Sequence, residues 1–185
     1  MSDWDFFLVP YGGKSAIPDL KIRVQLSLVD KSELRFLFLF EGPQAAIQKL
    51  IWPKAAKPER RNELWKTTCC ELFFGPAQSS GYFELNLSPA GDWNVYQFND
   101  YREGMREAEL HESPFKMSET VPIPRVEGRI DLAALNLRLE KAGDVVLGAT
   151  AVVEYQDGHK EYWALAHKGE KPDFHLRSSF TAFLE

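Results

Sequence analysis

Residues 61–105 read RNELWKTTCCELFFGPAQSSGYFELNLSPAGDWNVYQFNDYREGM. Two apolar runs, near 65–74 and 82–88, flank Gly75-Pro76-Ala77-Gln78-Ser79-Ser80-Gly81, a cluster of turn formers. A third run over 92–98 follows, and together they predict three antiparallel strands. Read with period two, Phe83, Leu85 and Leu87 share one face of the second strand, while Tyr82, Glu84, Asn86 and Ser88 share the other. On the first strand, Cys70, Leu72 and Phe74 oppose Thr67, Cys69, Glu71 and Phe73. The pattern therefore predicts a hairpin with one apolar face and one mixed face that carries both Glu71 and Glu84.

The same period dominates outward from this stretch. Ile22, Val24, Leu26 and Leu28 alternate with Lys21, Arg23, Gln25 and Ser27, a half-buried strand. Residues 34–40 (LRFLFLF) are apolar on both faces and predict a central strand, reached through a hairpin loop at 30–32. Residues 43–61 hold three prolines and several basic residues, which predicts a long crossover loop with one helical turn at 44–50. Residues 101–128 read as irregular, and 131–139 as a short helix, with a strand at 135–140 as the alternative. Residues 145–155 are a β-branched strand, Asp157-Gly158 a hairpin turn, 160–166 the return strand, and 180–184 a terminal strand. Many short strands and little helix predict an all-β, antiparallel β-sandwich in a single domain over 1–185.

Composition narrows the function. At 185 residues the chain is long enough for a real core. A net charge of -5 argues against a broad grip on nucleic acid or on an anionic membrane surface. No apolar run is long enough for a transmembrane helix, and residues 1–14 lack the basic and apolar regions of a signal peptide. The cysteines, Cys69 and Cys70, are adjacent and point to opposite faces of a strand, so they predict no disulfide between them and a reducing, cytoplasmic compartment. The 24 aromatic side chains (13 Phe, 5 Trp, 6 Tyr) must fill a core or line a site.

Three roles fit the glutamates: a solvated pair, a structural pair bridged by arginine, or hydrogen-bonding groups for a ligand. If Phe73 pairs with Tyr82, Glu71 lies directly opposite Glu84, with Cβ atoms roughly 4.5–5.5 Å apart. That spacing raises one carboxyl's pKa unless Arg61, Arg102, a cation or a ligand's hydroxyls neutralise the pair. It also suits a retaining glycosidase. Trp52, in the basic, proline-rich loop, is expected to offer an exposed ring for stacking on a sugar, with Trp65 and Tyr101 next. His167, Asp173 and His175 form a second candidate group, for a metal or for acid–base work. Their spacing matches no zinc pattern, and the alternative is loop histidines bonded to backbone. No phosphate-binding glycine loop, nucleophile elbow or HExxH motif is present.

Leu64-Trp65, Thr68-Cys69, Glu71-Leu72-Phe73, Tyr82, Glu84-Leu85-Asn86, Ser88-Pro89, Asp92-Trp93, Tyr96, Phe98 and Tyr101-Arg102-Glu103-Gly104-Met105 together resemble a bacterial family of DOMON-like proteins. So does the tail Tyr162-Trp163-Ala164-Leu165, His167, Pro172-Asp173-Phe174-His175 and Phe180. The resemblance implies a jelly-roll-like sandwich related to family 9 carbohydrate-binding modules and to DOMON domains, which bind sugars or haem. Those modules are usually secreted, whereas no signal peptide is expected here. Met105, Met117, His111, His167 and His175 are present, but none sits in a recognisable axial-ligand motif. Cys70 stands where an aromatic residue is expected. The resulting expectation is a non-catalytic module for a small polar ligand, most simply a sugar, held by Trp52, Arg61, Trp65, Glu71, Glu84, Asn86, Tyr101, Arg102, His167, Asp173 and His175. No cofactor is expected. Haem or a metal ion, and a glycoside-acting enzyme, are the alternatives.

Overall fold

The computed structural model describes residues 2–53, 57–110, 112–114, 124–141 and 143–184. Within them the chain forms β1 (Ser2–Phe7), β2 (Val9–Pro10), β3 (Lys21–Val29), β4 (Glu33–Glu41), a single helical turn α1 (Gln44–Ile47), β5 (Cys69–Pro76), β6 (Tyr82–Leu87), β7 (Trp93–Phe98), β8 (Arg106–Glu107), β9 (Arg125–Asp131), β10 (Val145–Glu154), β11 (Lys160–Ala164) and β12 (Ala182–Leu184). They build a four-stranded sheet, β1-β3-β4-β9, and a larger sheet, β2-β11-β10-β5-β6-β7-β8, with β12 added beside β10. All strand pairings are antiparallel. The fold is an all-β sandwich, as the period-two pattern predicts. Among the described residues no helix is long and apolar enough to cross a membrane.

The sheets meet across one buried apolar cluster. Ile22, Val24, Phe36, Phe38 and Phe40 come from the small sheet, and Cys70, Leu72, Phe74, Leu85, Leu87, Ala149 and Ala151 from the large one. The two sheets differ on their outer faces. In β3 and β4, buried residues alternate with half-buried or exposed ones, so one face looks to solvent. Leu37 and Leu39 are only half-buried, so β4 is central in its sheet but not covered on both faces as LRFLFLF suggests. In β5, β6 and β10, nearly every residue is buried, so both faces are covered. A second cluster of Phe73, Tyr82, Tyr96, Phe98, Val146 and Phe180 accounts for this, with Trp65 and Phe174 packed against it.

Several boundaries differ from expectation. The strand expected to begin at 65 begins at Cys69, because Leu64–Lys66 winds into a 3₁₀ turn entered through Glu63 at φ 63°. The helix expected over 131–139 is one 3₁₀ turn, Ala133–Leu135, after β9 has run on to Asp131. The terminal strand begins at Ala182, after a turn at Arg177–Ser179. β1 pairs with β3 despite its acidic, aromatic sequence. The two cysteines are free and buried, on opposite faces.

Candidate functional site

The outer face of the large sheet holds a cavity of about 330 Å³. Register builds its floor. Glu71 pairs with Asn86 and Phe73 with Glu84, while Thr150 faces Glu71 from β10. This register is shifted by two residues from the Phe73–Tyr82 pairing considered above. Glu71 and Glu84 are therefore diagonal neighbours on one face, not directly opposed. Phe98 and Tyr82 are a register pair and stack with ring centres 4.8 Å apart. Trp65 closes one side from the 3₁₀ turn, its ring edge-on to Tyr96 at 5.9 Å. Val152 and Tyr162 line the other side, and Pro172, Phe174 and His175 come from the loop before β12.

The glutamates are 2% and 4% exposed, so they are not a solvated pair. Each accepts one hydrogen bond. Thr150 Oγ1 donates to Glu71 Oε2 at 2.9 Å, and Asn86 Nδ2 donates to Glu84 Oε1 at 2.7 Å. The other oxygen of each carboxyl has no hydrogen-bond donor among the described residues. Burial, reinforced by the charge of Glu84, pushes Glu71 up to about 8 against the pull of Thr150 and Arg102. Burial also pushes Glu84 up to about 7, opposed by Asn86 and Arg102. At neutral pH the pair therefore retains a proton.

His175 is the nearest base. Its Nε2 is 3.7 Å from Glu84 Oε2, and its Nδ1 is 2.8 Å from the Tyr82 hydroxyl. The backbone N–H of Arg102 donates to that same hydroxyl at 3.2 Å. Tyr82 thus has its own proton to give to Nδ1, which leaves the Nε2–H tautomer directed at Glu84. Burial, and then the charge of Arg102, lowers His175 to about 4, so the imidazole is neutral at pH 7.

The rim is tied by Asp173. It accepts from Arg102 Nη2 at 3.0 Å, from the Tyr101 hydroxyl at 2.6 Å and from the His175 N–H at 3.1 Å. Burial opposes ionisation of Asp173, but the Tyr101 and Arg102 bonds outweigh it and hold the carboxyl below its usual range. Arg102 sits at φ 55° in a tight turn closed by Asn99 N–H on the Glu103 carbonyl. That left-handed step aims its N–H at Tyr82 while its side chain reaches Asp173.

The eleven expected residues divide. Trp65, Glu71, Glu84, Arg102 and His175 line the cavity. Asn86 supports Glu84, and Tyr101 and Asp173 hold the rim. Trp52 lies elsewhere. It is half-buried against the inter-sheet core, edge-on to Phe40 at 5.0 Å, and is not an exposed stacking platform. Arg61 pairs with Asp92 and Glu59, so it does not neutralise the glutamates. His167 bonds the Val9 carbonyl at 2.8 Å, the backbone-bonded alternative. His111 and Met117 lie outside the described residues. Of the remaining haem-ligand candidates, Met105 lines the cavity together with His175, whereas His167 is turned to backbone. Among the described residues no group of three or more His, Cys, Asp or Glu is arranged to hold a metal ion. Sequence reading missed Thr150, Phe98, Tyr162 and Phe174. Thr150 meets Glu71 from 79 positions away, and no local pattern signals that pairing. Tyr162 was accessible in principle, since alternation in β11 places it opposite Val152.

No protein-family model matches the chain, and no curated protein sequence matches it significantly. Among solved structures, a crystal structure of "a putative carbohydrate-binding protein" from Bacteroides uniformis ATCC 8492 is similar to it. The likeness has a TM-score of 0.63 and 15% identity, over 100% of this chain and 85% of the other. It is a likeness of fold.

Proposed function

We propose that this protein is a non-catalytic binding module whose outer-face cavity takes a carbohydrate. On this reading the sandwich is jelly-roll-like and of the DOMON-like class, and it works in the cytoplasm, where its two cysteines stay thiols. One observation carries the reading: aromatic walls (Trp65, Phe73, Phe98, Tyr162, Phe174) stand over a floor of buried acceptors, Glu71 and Glu84. Ring faces suit the apolar faces of a sugar, and fixed acceptors suit its hydroxyls. A volume of about 330 Å³ is at the small end for ligand sites, which matches one or two sugar rings. The fold likeness to the Bacteroides uniformis protein agrees with it.

Isothermal titration against mono- and disaccharides, neutral, acidic and amino, tests the proposal. Saturable binding to one class, weakened about tenfold (~1.4 kcal/mol) or more by Glu84→Gln, is the expected result. A flat response across the panel contradicts it. One observation favours a second reading, a glycoside-acting enzyme: the carboxyl pair retains a proton near neutrality, as a general acid requires. Turnover of a chromogenic glycoside, lost in Glu84→Gln, is the sign of that chemistry.

A further inference from the structure

Four acidic residues are buried among the described residues: Glu71, Glu84, Asp92 and Glu161. Two of them are saturated. Glu161 accepts from Ser15 Oγ, the Ala16 N–H, the Tyr155 hydroxyl at 2.6 Å and Trp163 Nε1 at 3.1 Å. Asp92 accepts the Glu59 N–H at 2.9 Å and pairs with Arg61 at 3.1 Å. These two are internal struts. Glu71 and Glu84 accept one hydrogen bond each, leave their second oxygens without a donor in hydrogen-bond range (His175 Nε2 is 3.7 Å from Glu84 Oε2), and line a cavity. Neither oxygen is sealed in the protein, since the fully buried side-chain polar atoms without a partner among the described residues are Arg177 Nη1 and Ser179 Oγ; both carboxyl oxygens face the cavity, where a ligand can reach them.

Among the described residues no cation bonds to them. Arg102 also lines the cavity, but its guanidinium is held at the rim by Asp173 and lies 5.8 Å from the centre of the Tyr101 ring. His175 is neutral. The walls, by contrast, are lined by aromatic residues, and a ring face attracts a cation within about 6 Å. We propose that the ligand of this cavity carries a protonated amine, seated between the unpartnered oxygens of Glu71 and Glu84. An ammonium group supplies three donors and no acceptor, which complements two acceptors without donors. The inference rests on the reading that this cavity is the ligand site, and it specifies the ligand's charge.

A consequence follows for protons. The pair retains a proton at neutral pH, and an ammonium ion stabilises both carboxylates, so binding expels that proton to solvent. The groups facing the pair are Cys69 on β5, Tyr82 on β6, Tyr96 on β7, His175 and Asp173 on the covering loop, and Arg102 on the rim. Cys69 and the tyrosines are held protonated by burial, His175 is already neutral and Asp173 already ionised, so none of them supplies it.

The test is calorimetric titration of the full chain with glucosamine, glucose, N-acetylglucosamine and cyclohexylamine at pH 7, in two buffers of different ionisation enthalpy. Glucosamine is expected to bind at least tenfold more tightly than glucose or N-acetylglucosamine, with up to one proton released. Glu71→Gln and Glu84→Gln, close in shape to the protonated acids, are expected to remove the preference. Equal affinity for glucose and glucosamine overturns the amine inference and leaves the sugar reading standing. Cyclohexylamine binding as tightly as glucosamine supports the amine inference and overturns the sugar reading. Binding of none of the four overturns both, and these comparisons on the unaltered protein do not depend on any variant folding.

Discussion

Glu71 and Glu84 concentrate the unusual energetics of this chain. A buried carboxyl with a raised pKa holds a proton that the unfolded chain has already released. Between the ordinary carboxylate value of 4.5 and the folded values of about 7 and 8, the native state therefore binds more protons than the unfolded state. Stability must fall as pH rises through that window. Glu71→Gln/Glu84→Gln removes this liability. Urea denaturation is expected to show the variant gaining on the unaltered protein by about 1–3 kcal/mol between pH 5 and pH 8. An identical difference at both pH values would show that the pair is ionised and solvated in the native state. His175 acts in the opposite sense, because its depressed pKa costs stability as pH falls from 6.5 toward 4. Comparing variant with parent at each pH cancels that contribution.

At the scale of elements, register decides what meets what. Gly128 on β9 faces Phe36 on β4, and a Cβ at Gly128 would lie 2.1 Å from the Pro114 carbonyl oxygen and 2.6 Å from the Phe36 ring. The glycine allows the ring and the backbone at Pro114 to cross closely over the strand. Gly128→Ala is expected to cost about 1–3 kcal/mol in a denaturation experiment, the range for forced overpacking. A cost below about 0.5 kcal/mol would mean that β9 is not held in this register. Such pairings explain what was legible in sequence. Alternation exposed β3 and β6, and β-branched composition exposed β10, because each of these signals lies within its own strand. It placed Glu71 and Glu84 on one face because parity along a strand is local. It did not fix the two-residue register between β5 and β6, because every even shift preserves parity. β1, β2, β8 and β9 were missed, because the first three bury no described residue fully and so carry no apolar period, and β9 interrupts its own with Gly128. Trp52 was misplaced because a proline-rich loop looks exposed until Phe40 packs against it.

On the scale of the molecule, the two sheets have different duties. The small sheet shows solvent its outer face and packs the inner one. The large sheet is covered twice, once by the inter-sheet core and once by Trp65, the turn at Arg102 and the loop carrying Asp173, Phe174 and His175. That second cover came from neither period nor composition, since it joins segments about 70 residues apart, as Arg102 and Asp173 do. Only the motif resemblance tied Tyr101-Arg102 to Pro172-Asp173-Phe174-His175. The central claim is that this covered outer face is where ligand binds. Its most direct test is a titration of isotope-labelled protein with the best-binding sugar, followed by amide chemical shifts. Saturable shifts confined to the neighbourhoods of Trp65, Glu71, Glu84, Arg102, Thr150 and His175 are the expected result. Saturable shifts centred instead on Trp52, or on the solvent face of β3 and β4, would contradict the account.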